Sequence, residues 1–173
     1  LLKMTSGGTV STAFTLPTGE IIVALGIDPA TGLIMISTQI FNNPTNTIQE
    51  RGIVYLYDGV AGEFTRKVYV DETINAFYIV GGVVYVGMGQ TLGAWNGSGV
   101  TFLRKLKNVT LTQNSLPYKH HFANIRNILL VLDGSKILAY GDVVQGKKGF
   151  FYLTATNSTS SPNIYVICNI GNN

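Results

Sequence analysis

An internal repeat constrains this chain more than any other feature of its sequence. Tyr57-Asp58-Gly59-Val60-Ala61-Gly62-Glu63-Phe64-Thr65-Arg66-Lys67-Val68 lies over Trp95-Asn96-Gly97-Ser98-Gly99-Val100-Thr101-Phe102-Leu103-Arg104-Lys105-Leu106 without a gap. Aromatic, Asp/Asn, Gly, Phe, Arg, Lys and aliphatic positions all coincide. Each copy follows a glycine turn and an apolar run, Gly32-Leu33-Ile34-Met35-Ile36 in one and Gly82-Val83-Val84-Tyr85-Val86 in the other. A weaker third copy runs through Asn127-Ile128-Leu129-Leu130-Val131, Ile137-Leu138-Ala139-Tyr140 and Lys147-Lys148-Gly149-Phe150. The turn positions Gly32, Gly82 and Asn127 are 50 and 45 residues apart, and the polar run Asn42-Asn43-Pro44-Thr45-Asn46-Thr47 accounts for the difference. A unit that recurs at such a period cannot bury its apolar face alone and must stack on its neighbours.

The unit is built of strands. Apolar bursts rich in Val, Ile, Tyr and Phe alternate with Gly, Asn, Asp and Thr, and no stretch carries a sustained helical stripe. Strands are expected at 9–16, 20–26, 33–38, 52–58, 65–70, 74–80, 83–88, 91–95, 101–105, 122–125, 128–132, 136–140, 150–154 and 164–168. Between them, Thr31-Gly32, Asp58-Gly59, Gly81-Gly82, Asn96-Gly97 and Asp133-Gly134 supply turns at positive φ. Twenty glycines and 12% charged residues exclude a long coiled coil, and 46% hydrophobic residues exclude disorder. At 173 residues the chain can bury a sizeable core without a disulfide, which its single cysteine, Cys168, could not form within the chain. The uncharged run 73–103 is too broken by glycine for a membrane span. Twelve Lys+Arg against nine Asp+Glu give too small an excess to imply a nucleic-acid partner.

Over residues 20–154 the pattern resembles the blade repeats of β-propellers, four-stranded meanders with a period of about 40 to 50 residues. The resemblance implies one all-β domain spanning 1–173, with units near 20–70, 71–107 and 118–154 and terminal strands at 9–16 and 163–170. Three units are fewer than the four to eight blades of a closed propeller. Either the terminal strands pair into a fourth sheet or the units belong to a larger array, and a β-sandwich is the rival fold. In the repeat, Phe64 and Phe102 are expected to be buried at matching positions, with Glu63 and Thr101 facing outward.

The sequence offers little chemistry. His120-His121 would point to opposite sides of a strand and cannot hold one metal, so the pair reads as polar strand-edge residues. Most carboxylates sit in turns, and in Asp28-Pro29, Asp58-Gly59 and Asp133-Gly134 they are expected to bond their own backbone. Asp71-Glu72 is the one adjacent pair and lies between units. Neither a catalytic set nor a cofactor is expected. Candidate ligand or interface residues are Tyr57, Trp95 and Tyr140 at one repeat position, and Arg66, Lys67, Arg104 and Lys105 at another. The aromatics read as wedges between blades or as sugar-stacking platforms. The cations, with Lys147-Lys148, read as blunting an exposed sheet edge, or as lining a rim that attracts phosphate or an anionic glycan. Asn96-Gly97-Ser98, Asn108-Val109-Thr110 and Asn157-Ser158-Thr159 match the glycosylation acceptor pattern.

The low-charge Gly/Asn/Thr-rich composition resembles virion proteins such as phage tail and fibre components. That resemblance implies a non-enzymatic structural or adhesive module of a virion or similar extracellular assembly. Its partners would be other copies, other chains or a host surface, with no membrane insertion. A carbohydrate-binding propeller module and a propeller glycoside hydrolase fragment are the alternatives, the last requiring two convergent carboxylates.

Overall fold

The computed structural model describes residues 1–42, 47–107, 120–134, 136–144 and 147–153. Among them there is no helix, and the strands form three four-stranded antiparallel meanders preceded by a hairpin. The hairpin pairs β1 (Leu2–Met4) with β2 (Val10–Thr12). The first sheet is β3 (Glu20–Ile27), β4 (Ile34–Asn42), β5 (Thr47–Asp58) and β6 (Glu63–Val70). The second is β7 (Ile74–Val80), β8 (Val83–Met88), β9 (Thr91–Trp95) and β10 (Val100–Lys105). The third is β11 (Phe122–Ile125), β12 (Ile128–Asp133), β13 (Lys136–Val144) and β14 (Lys147–Leu153). In every sheet the strands lie in chain order, as short turns between antiparallel neighbours require.

The sheets stack face on face, because alternation gives each strand two apolar sides. Met35, Val54, Leu56, Val68 and Val70 of the first sheet meet Ile74, Val84, Val86, Met88 and Trp95 of the second. On the other side of the second sheet, Val80, Tyr85 and Leu92 meet Leu129, Val131 and Leu138 of the third. Each sheet thus has a leading face toward the chain's start and a trailing face toward the next sheet. The leading face of the first sheet carries Ile36, Ile53, Tyr55 and Tyr57 and receives Leu1, Ala13, Phe14 and Leu16. The first strands lie side by side: Phe77 of β7 sits over Gly26 of β3, and Tyr78 of β7 stacks on Phe122 of β11 at 5.7 Å.

Glycine marks two places where the chain crosses close to a sheet. A Cβ on Gly52 of β5 would lie 2.6 Å from the Thr73 Cα, and one on Gly87 of β8 would lie 2.2 Å from the His120 ring. Thr73 and His120 stand just ahead of β7 and β11 respectively, so both glycines clear the path from one sheet to the next. At the tip between β11 and β12, Arg126 adopts φ 53° where the corresponding turn of the second sheet has Gly81 at φ 57°.

Several expectations need correction. Residues 9–16 supply only the short β2, paired with Leu2–Met4; the expected strand at 163–170, with Cys168, lies outside the described residues. Phe64 and Phe102 are 40% and 64% exposed. Both stand on the outer strand of their sheets, and the two hairpins also differ in register. Tyr57 pairs with Phe64, seven residues on, whereas Trp95 pairs with Val100, five residues on, and Phe102 falls opposite Gly93. The first hairpin closes with Gly62 N–H donating to the Asp58 carbonyl, and Gly62 rather than Gly59 takes the positive φ. A gap-free alignment conceals this two-residue difference. Being even, the difference leaves each side chain on its expected face.

Candidate functional site

Tyr57, Trp95 and Tyr140 do hold matching ladder positions. Tyr57 pairs with Ile34 and Tyr140 with Leu129, while Ala94 pairs with Tyr85 and so sets Trp95 beside Val84. All three face the leading side. Trp95 is buried against the first sheet, Tyr140 is half-buried against the second, and Tyr57 is buried under the N-terminal segment. Tyr57 and Trp95 leave little ring surface open, whereas Tyr140 stacks on Phe150 with ring centroids 4.4 Å apart.

The cations lie on β6 and β10, the last strands of their sheets, and their neighbours differ. Arg66 donates through Nη2 to the Gly97 carbonyl of the second sheet. Arg104, on the corresponding face, sits over Phe150 and Tyr152 of the third sheet at 5.1 and 5.6 Å. Both arginines therefore bridge consecutive sheets. Lys67 turns to the leading face and lies 5.1 Å from the Tyr55 ring and 5.3 Å from the Tyr69 ring. Its ammonium is 4.0 Å from the carboxylate of Glu20, which is only 6% exposed. That carboxylate accepts from Thr38 Oγ1 at 2.9 Å and from the Tyr55 hydroxyl at 2.9 and 3.0 Å. Burial raises the Tyr55 pKa, and its hydrogen bond with Tyr55 raises that of Lys67. Lys105 is exposed and stands opposite Thr91 on the ladder.

The turn carboxylates divide into two kinds. Asp28 accepts from Ala30 N–H and Thr31 Oγ1, and Asp58 from Val60 and Ala61 N–H, as expected for turn residues. Asp133 is fully buried and ties separate parts together, accepting from the Tyr152 hydroxyl at 2.5 Å and from Lys107 N–H at 3.3 Å. The histidines also depart from expectation. His120 precedes β11 rather than lying within it, is buried, and places Nδ1 2.6 Å from Asn75 Oδ1. Among the described residues, no three His, Cys, Asp or Glu side chains gather as metal ligands would. Asn96 is exposed but uses its amide in its own turn, accepting from Ser98 N–H and donating to Thr101 Oγ1. Asn108 and Asn157 lie outside the described residues.

Two surfaces are left with features to explain. One is the inner part of the first sheet's leading face. Leu25 pairs with Ile36, Phe77 with Val86 and Phe122 with Val131, so these three hold one repeat position. Phe77 and Phe122 pack into the two inter-sheet cores, whereas Leu25 is 51% and neighbouring Ile27 54% exposed. The other surface is a cleft of about 210 Å³ where the β6–β7 connection meets the second sheet. Its walls are Tyr69, Val70, Asp71, Glu72, Met88, Thr91, Val100 and Phe102. Sequence alone does not reveal it, because Asp71-Glu72 and Phe102 stand about thirty positions apart, near opposite ends of one unit.

The fold and these surfaces define a class of protein: an all-β chain of repeated four-stranded antiparallel meanders. No protein-family model matches the chain, and no curated protein matches it.

Proposed function

We propose that this chain is a non-enzymatic structural or adhesive module in which the three meanders are blades of a β-propeller-like array. The low-charge Gly/Asn/Thr-rich composition supports reading that array as part of a virion or similar extracellular assembly. One observation carries the reading: Leu25 is 51% exposed at the position where both following sheets pack a half-buried phenylalanine against the neighbouring sheet. Exposed apolar surface of this kind is normally covered by a neighbour, and here the repeat itself supplies the pattern of a sheet-on-sheet contact. The carboxylates engaged in turns at Asp28 and Asp58 favour this reading over a hydrolase. Sedimentation of the isolated chain over a range of concentrations tests it. Association that Leu25→Lys weakens is the expected result. A monomer at every concentration, with stability unaltered by Leu25→Lys, would sink it.

A second reading, a carbohydrate-binding module, is favoured by one specific observation, the largely exposed Phe102 ring beside Asp71 and Glu72 in the cleft. Retention of the protein on a glycan array is its test.

A further inference from the structure

We infer that the cleft between the β6–β7 connection and the second sheet binds one pyranose unit of a glycan; this rests on the carbohydrate-binding reading. The walls differ in character. Val70, Met88 and Val100 form an apolar floor, and Phe102, 64% exposed, presents a ring at the mouth. Tyr69 contributes from β6, where alternation turns its ring toward Lys67 on the opposite face. Phe102 is thus the aromatic platform. Asp71, Glu72 and Thr91 supply the polar part of the lining.

Glu72 is fixed in position by close approach. Gly89, at φ 48°, leaves a gap that its carboxylate fills, since a Cβ there would fall 2.2 Å from Glu72 Oε2. Lys105, the ladder partner of Thr91, is exposed on the same face.

This composition selects among ligand classes. An anion meets two carboxylates. A metal ion would want a third acidic or imidazole ligand, and no such group of three occurs among the described residues. A wholly apolar ligand would strip water from the carboxylates without replacing their hydrogen bonds. A pyranose has an apolar C–H face for the ring and hydroxyls that donate to carboxylates, which are strong charged acceptors. The volume, about 210 Å³, lies below the 300 Å³ or so where clefts for drug-sized ligands begin, and suits a single ring.

The test is saturation-transfer NMR on the whole chain with methyl pyranosides of glucose, galactose, mannose and N-acetylglucosamine, together with the glycan array. Transfer to ring C–H protons from at least one pyranoside is expected. Phe102→Ala and Asp71→Asn should each weaken that binding about tenfold or more, both being exposed positions where folding tolerates change. Lys67→Ala, on the opposite face, should leave it unchanged. Retention on the array that Phe102→Ala and Asp71→Asn leave intact would overturn the cleft while keeping the carbohydrate-binding reading. Absence of both transfer and retention would overturn the two together.

Discussion

The Phe77 side chain occupies the space that a side chain on Gly26 would need. A Cβ added to Gly26 would come within 2.8 Å of both Phe77 Cβ and Cγ. These atoms sit close to the β7 backbone and cannot swing aside as the tip of a long side chain can. Gly26→Ala is therefore expected to lose about 1 to 3 kcal/mol of stability through overpacking between the first two sheets. Chemical denaturation measures this directly, and a neutral or stabilising Gly26→Ala would show that β3 and β7 do not lie so close.

The register difference between the two hairpins predicts unequal losses for residues that the sequence pairs as equals. Trp95 is enclosed in the inter-sheet core, and Trp95→Ala should cost about 3 to 5 kcal/mol. Phe102→Ala, at an exposed ring, should cost under about 1 kcal/mol. Phe64 falls between them. It touches Phe14 at 4.1 Å and is flanked by Tyr55 and Tyr57, so Phe64→Ala should cost about 1 to 2 kcal/mol. Equal losses for Phe64→Ala and Phe102→Ala would contradict the ladder pairing.

Glu20 anchors the leading face of the first sheet. Its nearly enclosed carboxylate accepts from Thr38 and Tyr55, and Glu20→Ala leaves both hydroxyls without that acceptor. A loss of about 1 to 3 kcal/mol is expected, the usual cost of orphaning buried polar groups. Glu20→Gln keeps an acceptor oxygen and should recover part of it. If both variants melt like the wild type, the network contributes nothing.

Burial of tyrosine hydroxyls in two separate places predicts how stability responds to alkali. Tyr55, Tyr85 and Tyr152 are all held above their ordinary value of 10.0, chiefly by burial, and Lys67 is held above 10.5 by its bond to Tyr55. The folded chain therefore keeps protons that the unfolded chain has already released. Stability should be intact below about pH 10 and fall as pH rises through the raised pKa values. Thermal melts across the alkaline range check the sign, and a rise in melting temperature above pH 10 would contradict it.

Strand identity was legible because it depends on local facts. Alternation marked the bodies of β4, β8 and β12, and glycine or Asn/Asp-Gly marked most of their turns. The chain order of strands within each sheet followed from those short turns. The common ladder position of Tyr57, Trp95 and Tyr140 was legible as well, since it depends on counting from a turn.

Other features were settled only by tertiary structure. How far Phe64 and Phe102 are covered depends on hairpin length and on how closely the outer strands approach the next sheet. Which group meets Lys67 depends on Glu20, forty-seven positions earlier, arriving on the same face. The cleft exists because the β6–β7 connection passes beside Thr91 and Phe102, which no local pattern encodes. Sequence alone determined the repeat and its strands, since those come from period and turn chemistry within a few residues. The faces that are covered, the charges that are paired and the hollow that remains open were decided by sheets meeting across distances that sequence spacing does not measure.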